Sequence, residues 1–182
     1  EISECLVGSE MCIRDRFKIE QYVEMALNYL RVEDISSDLS FKQYAVDDMV
    51  RQVIRKYAKI FISKKIKMNF KPTGRYIVTD DKWFVFVLEQ LISNALKYTK
   101  KGQISIYMKE KSLVIEDTGI GIPAEDLPRI FEKGFTGYNG RENKKSTGIG
   151  LYLCKNIMDK LQWNITVDSE VGSGTKIYLT KM

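Results

Sequence analysis

The stretch from Leu113 to Leu153 restricts what this chain can fold into more than any other. A short apolar run, Leu113-Val114-Ile115, ends in Glu116-Asp117 and is followed by Thr118-Gly119-Ile120-Gly121-Ile122-Pro123. A long polar excursion then closes on Ser146-Thr147-Gly148-Ile149-Gly150-Leu151, which opens an amphipathic segment. The first run has the length and content of a strand, and the last has the spacing of a helix. A carboxylate at a strand end, a glycine pair after it, and a second pair at a helix start can together enclose a nucleotide.

The rest of the composition narrows the field. The chain has 182 residues, 44% of them hydrophobic, enough for one domain with a real core and a short appendage. No apolar run approaches the ~20 residues of a membrane span. The net charge of +5 suits an anionic ligand or the cytoplasmic membrane surface. It is too mild to argue for nucleic acid as a partner. Three cysteines, at 5, 12 and 154, have no metal-type spacing, and there is no His. Zinc and a disulfide framework are therefore poor readings, and a reducing compartment is the better one.

Residues 1–16 hold no clean helical or strand period. Met11-Cys12-Ile13-Arg14-Asp15-Arg16 can be encoded by ATG-TGT-ATA-AGA-GAC-AGN, which resembles the end of a sequencing-library adapter. The expectation is a translated adapter of non-native origin, set aside from fold reasoning. The segment carries four acids and two bases, so the rest is two charges more positive. From Phe17 to about Val32, Ile19, Tyr22, Val23, Ala26, Leu27 and Leu30 recur at helical spacing. Residues 33–38 read as a linker.

The domain proper, residues 38–182, reads as a strand over Leu39–Val46 and a helix capped by Asp47 and running to Phe61. Strands follow at Ile66–Phe70 and Tyr76–Val78. Asp80 or Asp81 caps a helix over about 82–98 that is apolar almost all round and should be buried. Gln103–Met108 and Leu113–Glu116 form a hairpin. Residues 118–147 form a long loop with a helical piece near Ala124–Phe131. A helix from about Gly148 to Lys160 and a closing hairpin of Asn164–Asp168 with Thr175–Thr180 complete the chain. Mixed strands with helices on one face make an α+β protein, a two-layer α/β sandwich.

Three groups carry chemistry. Gln90 and Asn94 share a face of the buried helix, with Lys97 one turn on. An Asn carbonyl can hold Mg²⁺, which also bridges substrate phosphates, and a Lys can meet those phosphates. Asp117 can accept from an exocyclic amine, with Gly119 and Gly121 letting backbone approach the base. A plain Asp-Thr-Gly turn would look the same locally. Thr147-Gly148-Ile149-Gly150 sets free amides at a helix start, where phosphate binds, with Arg141, Lys144 and Lys145 nearby. Spacing excludes a dinucleotide fingerprint, and no Gly-Lys-Ser/Thr supplies a P-loop.

With these residues in order, the chain resembles the sensor histidine kinases. Glu89-Gln90-Leu91-Ile92-Ser93-Asn94-Ala95-Leu96-Lys97-Tyr98-Thr99 looks like their N box. Asp117–Ile122 resembles the G1 box, Ile130-Phe131-Glu132-Lys133-Gly134-Phe135 the F box, and Ser146–Leu151 the G2 box. Gly172-Ser173-Gly174-Thr175 is similar to the last glycine turn. The resemblance covers about 38–182 and implies the Bergerat ATP-binding fold. It implies ATP and Mg²⁺ as cofactors, with Asn94 on the metal, Lys97 at phosphate, Asp117 on the adenine amine and 118–147 as the lid. The subgroup it most resembles is the short kinases of Gram-positive bacteria that respond to bacitracin and cationic peptides.

Hydrolases of this superfamily place a Glu four residues before the Asn as general base, and here that position is Gln90. An amide takes no proton, and Glu89 lies ~100° round the helix. Phosphoryl transfer is the expected use, to a His on a dimerisation helix that this chain lacks. Phe17–Val32 looks like the second helix of that dimerisation hairpin. The implied partners are that His, a response regulator and a second copy in the parent protein, placed at the cytoplasmic side of the membrane. The chain itself is expected to be soluble and unable to phosphorylate itself. A nucleotide-binding module without kinase activity is the main alternative. A serine kinase of the same fold is disfavoured, since those carry the Glu that Gln90 replaces.

Overall fold

The computed structural model describes residues 19, 22–31, 39–137 and 147–182. The chain divides into Glu1–Ser37 and Asp38–Met182. In the first unit, 22–31 is helical (α1), and Tyr22, Val23, Leu27 and Leu30 are exposed on it.

The second unit opens with β1 (Lys42–Ala45) and α2 (Val46–Lys64), followed by β2 (Lys67–Phe70), β3 (Tyr76–Thr79) and α3 (Asp81–Tyr98). Then come β4 (Gln103–Lys109), β5 (Ser112–Asp117), a 3-10 turn at Leu127–Arg129, α4 (Gly150–Lys160), β6 (Trp163–Glu170) and β7 (Gly174–Lys181). The five-stranded sheet runs β2-β4-β5-β7-β6, with β1 and β3 forming a small separate ribbon. The β2–β4 pair is parallel and the remaining pairs are antiparallel, so the sheet is mixed and the α+β expectation holds.

Register explains the two faces. Side chains alternate along a strand, so Ile106, Ile115, Ile177 and Val167 form one row, and Leu113, Leu179 and Ile165 the next. This face meets the helices: Phe84 of α3 stacks edge-on against Trp163 at 5.2 Å. The opposite face carries Tyr107, Glu116, Lys176 and Tyr178. There Tyr107 donates to Glu116 Oε2 at 2.8 Å, and burial together with that carboxylate pushes the phenol up to about 12. α3 is buried on nearly every side, as its sequence required. It lies between α2 and α4 and contacts both.

Two expectations need correction. The first strand is shorter than Leu39–Val46, because Val46 already opens α2 while its amide donates to Arg75 O at 2.9 Å. Asp47 does not cap α2. The N-cap is Ala45, without a side-chain cap, and the Asp47 carboxylate instead accepts from Thr73 N and Oγ1, both at 2.7 Å, and Gly74 N at 3.2 Å. Burial alone would raise its pKa, but these donors and Arg51 outweigh it and hold the carboxyl below its ordinary value. Of the two candidate caps for α3, Asp80 is the one used, accepting from Trp83 N at 3.1 Å.

Candidate functional site

Asp117 is the last residue of β5 and pairs in register with Ile104 and Thr175. Its place in the alternation turns it to the helix face, at the open end of the sheet. The half-buried carboxylate accepts from Gly119 N at 2.8 Å. Burial raises its pKa; the Gly119 amide, the Thr99 hydroxyl and the Thr175 amide pull the other way, and Glu116 adds to the rise. Thr99 Oγ1 stands near the carboxylate yet is fully buried without a well-formed hydrogen bond. A buried donor left over beside a carboxylate suits a ligand or water that completes the pair.

The end of α3 meets this loop directly. Ile120 N donates to Tyr98 O at 3.3 Å, and a Cβ on Gly119 would fall 2.7 Å from that same oxygen. Gly121, at φ 72°, packs so closely on the β6–β7 hairpin that a Cβ would sit 2.0 Å from Glu170 O. Close backbone packing within the protein thus already requires glycine at both positions.

Sequence reasoning missed the residue that fastens this loop. Ser169 Oγ accepts from Ile122 N at 2.9 Å, donates to Gly174 O at 2.7 Å and lies 2.9 Å from Thr175 Oγ1. Gly172 N also donates to Ile120 O at 2.8 Å. A lone Ser in a strand gives no signal of such a role.

The F and G2 segments form a second cluster. Gly134 N donates to Gly148 O at 3.0 Å, and a Cβ on Gly148 would lie 2.4 Å from the Gly134 carbonyl carbon. The roots of the long excursion are thus pinned to each other. Phe131 is half-buried beside this junction, and Arg129 lies over the Phe135 ring at 4.6 Å. Ile149 precedes α4 without a side-chain cap, and Ile149 N donates to Thr147 Oγ1 at 3.4 Å. Uncapped first-turn amides with Gly150 at the start are what a phosphate requires. The helix begins at Gly150, two residues later than expected, and Leu151 is half-buried in its first turn. Arg141, Lys144 and Lys145 lie outside the described residues.

On α3, Gln90 is buried while Asn94 and Lys97 are half-buried. Lys97 Nζ stands 5.1 Å from the Tyr98 ring centroid. Glu89 turns the other way. Its carboxylate pairs with Lys56 Nζ of α2 at 2.6 Å, as the ~100° step between neighbours in a helix requires. Among the described residues no group of three or more His, Cys, Asp or Glu could hold a metal. A single amide ligand helped by phosphate oxygens remains compatible with that.

A carboxylate set in a sheet end and joined to the end of a buried helix, in a two-layer sandwich that also carries an uncapped, glycine-rich helix start, is what an ATP-binding domain of this kind presents. Residues 79–181 match the family described as histidine kinase-, DNA gyrase B-, and HSP90-like ATPases, and the chain belongs to that family. It is 35% identical to the sensor histidine kinase YxdK of Bacillus subtilis, over 91% of this chain and 54% of that protein. The sensor protein BceS of Bacillus subtilis is 34% identical over 90% of this chain and 50% of its own length. The sensor histidine kinase GraS of Staphylococcus haemolyticus is 35% identical over 90% and 49%. The chain spans about half the length of these curated relatives. Full-length ShkA in complex with AMPPNP superposes with a TM-score of 0.71 at 19% identity, over 88% of this chain and 35% of ShkA. The histidine kinase AdeS of Acinetobacter baumannii superposes at 0.66 with 23% identity, over 88% and 77%. These two likenesses concern the fold.

Proposed function

We propose that this chain is the catalytic part of a two-component sensor kinase that transfers the γ-phosphate of Mg-ATP to a His on a dimerisation helix. The observation that carries the proposal is the orientation of Glu89 and Gln90. The neighbouring carboxylate, Glu89, is committed to Lys56, and Gln90 cannot take a proton from water. A site without a base for water favours an acceptor that brings its own nucleophile, an imidazole nitrogen. That nitrogen bonds to the γ-phosphorus as the bond to the β-phosphate oxygen breaks, and ADP leaves.

In this reading Asp117 accepts from the adenine amine, with Thr99 and Thr175 beside it. Asn94 holds Mg²⁺, which neutralises charge on the phosphates. Lys97 leaves the Tyr98 ring to meet a phosphate, and the amides leading into α4, over Gly148–Leu151, receive another. Catalysis is positioning and charge stabilisation. The relatives are named sensor proteins and sensor histidine kinases, and the same reading takes a response regulator as downstream partner and a dimeric, membrane-associated parent. The helical 22–31 segment, with its apolar residues exposed, fits the second helix of a dimerisation hairpin.

The test is incubation with γ-labelled ATP, with and without an intact His-bearing hairpin from a relative. Acid-labile, alkali-stable phosphate is expected on the hairpin and none on the chain, which has no His. Release of inorganic phosphate without hairpin labelling would overturn the proposal in favour of hydrolysis. Saturable ATP binding without either reaction would leave a nucleotide-binding module.

A further inference from the structure

Between Met49 and Thr79 the chain has nine Lys and Arg residues and no Asp or Glu. The fold gathers much of this charge on one flank. α2 buries Met49, Val50, Val53, Tyr57 and Phe61 and turns Arg55, Lys59 and Ile62 outward along one stripe. Ile62 is 77% exposed. Lys56 is neutralised by Glu89, and Arg51 lies 3.5 Å from Asp48. Arg55, Lys59 and Lys67 have no ion pair among the described residues.

The surface continues onto the sheet edge. Arg51 lies 5.7 Å from the Phe70 ring centroid and so joins α2 to β2, the edge strand, where Lys67 and Lys71 are exposed. Arg55, Lys59 and Ile62 are exposed on α2, whereas the proposed nucleotide-site residues Gln90, Asn94 and Lys97 are on α3. The net charge of the whole chain is not enough to explain it, because the acids are placed elsewhere.

We propose that the outer face of α2, with the β2 edge, docks on an anionic phospholipid bilayer. Headgroup phosphates meet Arg55, Lys59 and Lys67, and Ile62 enters the boundary between headgroups and acyl chains. An acidic protein would satisfy the charge but would need a pocket for Ile62. Nucleic acid would leave that side chain in water. The proposal does not depend on the kinase reading.

The test uses the full chain and sedimentation with vesicles of phosphatidylglycerol mixed into phosphatidylcholine, or of phosphatidylcholine alone. Binding is expected only to the anionic vesicles, and it weakens as salt rises. Each basic residue at such a surface strengthens binding roughly fivefold, so R55Q/K59Q/K67Q should weaken it on the order of a hundredfold. The matched variant K109Q/K111Q/K181Q, with the same loss of charge elsewhere, should bind nearly as the parent does. I62S should weaken binding at high salt more than at low salt, since its contribution is not electrostatic. Equal losses for the two triple variants would overturn the proposal, as would equal binding to both vesicle types. Failure to bind anionic vesicles at low salt, with binding to polyglutamate retained, would overturn it in favour of an acidic protein.

Discussion

Ser169→Ala removes one hydroxyl that serves three partners. A hydroxyl has one proton and two lone pairs. With that proton on Gly174 O, the oxygen accepts from Ile122 N and from Thr175 Oγ1, so the group is fully used. The alanine has no such capacity, and all three contacts are part-buried. At a net contribution of about 1 kcal/mol per hydrogen bond, discounted for partial exposure, the loss should be about 2 kcal/mol. In a domain of this size that lowers Tm by roughly 4–8 °C. The bond to Ile122 also sets the loop that carries Gly119 against Asp117, so Mg-ATP affinity should fall on the order of tenfold, equivalent to about 1.4 kcal/mol. Thermal unfolding and calorimetric titration measure the two effects. Ser173→Ala in the same hairpin is the control: its hydroxyl makes one exposed bond to Glu170 at 3.3 Å, and the change should stay within about 0.5 kcal/mol. Equal, small effects from both substitutions would refute the view that Ser169 fastens the loop.

Three further outcomes follow from the geometry. Gly121→Ala sets a Cβ 2.0 Å from Glu170 O at a left-handed φ of 72°, so the hairpin must move; nucleotide affinity and Tm should both fall, with the left-handed backbone alone costing about 1 kcal/mol. Asp117 has a raised pKa, so folding disfavours its charge; stability from this group is greatest below the unfolded pKa and declines as pH rises through the folded one. Asp117→Asn should therefore leave the nucleotide-free Tm at pH 7 unchanged or higher, and a drop of more than about 4 °C in thermal unfolding would contradict that sign. Cys154 is fully buried and its thiol is pushed far up by burial, so native chain at pH 8 should leave it unlabelled by maleimide while denatured chain labels it, as peptide mass mapping will show.

Much of the fold was legible because two periods dominate it. The β4–β5 and β6–β7 hairpins and α3 follow from alternation and from an apolar stretch too long for a strand. The role of Asp47 is not legible, because an acid before an apolar helix looks the same whether it caps that helix or holds a turn 26 positions later. Sheet order was not legible, since the parallel β2–β4 pairing depends on where α3 returns the chain. Asp117 could be singled out by its neighbours in sequence, while the contacts of Ser169 and Gly121 come from segments almost fifty residues apart. Glu89 was placed correctly by helix geometry alone, and its partner Lys56 was not foreseen.

In the proposed function, Asp117 and the ends of α3 and α4 form one ATP pocket. Calorimetric titration of the chain and of Asp117→Asn with Mg-ATP and Mg-GTP tests it most directly. The parent should bind ATP at one site and prefer it clearly over GTP, whose purine presents a carbonyl where adenine has its amine. Asp117→Asn should lose at least tenfold in ATP affinity and most of that preference, a loss of about 1.4 kcal/mol or more. Unchanged ATP affinity in a folded Asp117→Asn chain would contradict the assignment.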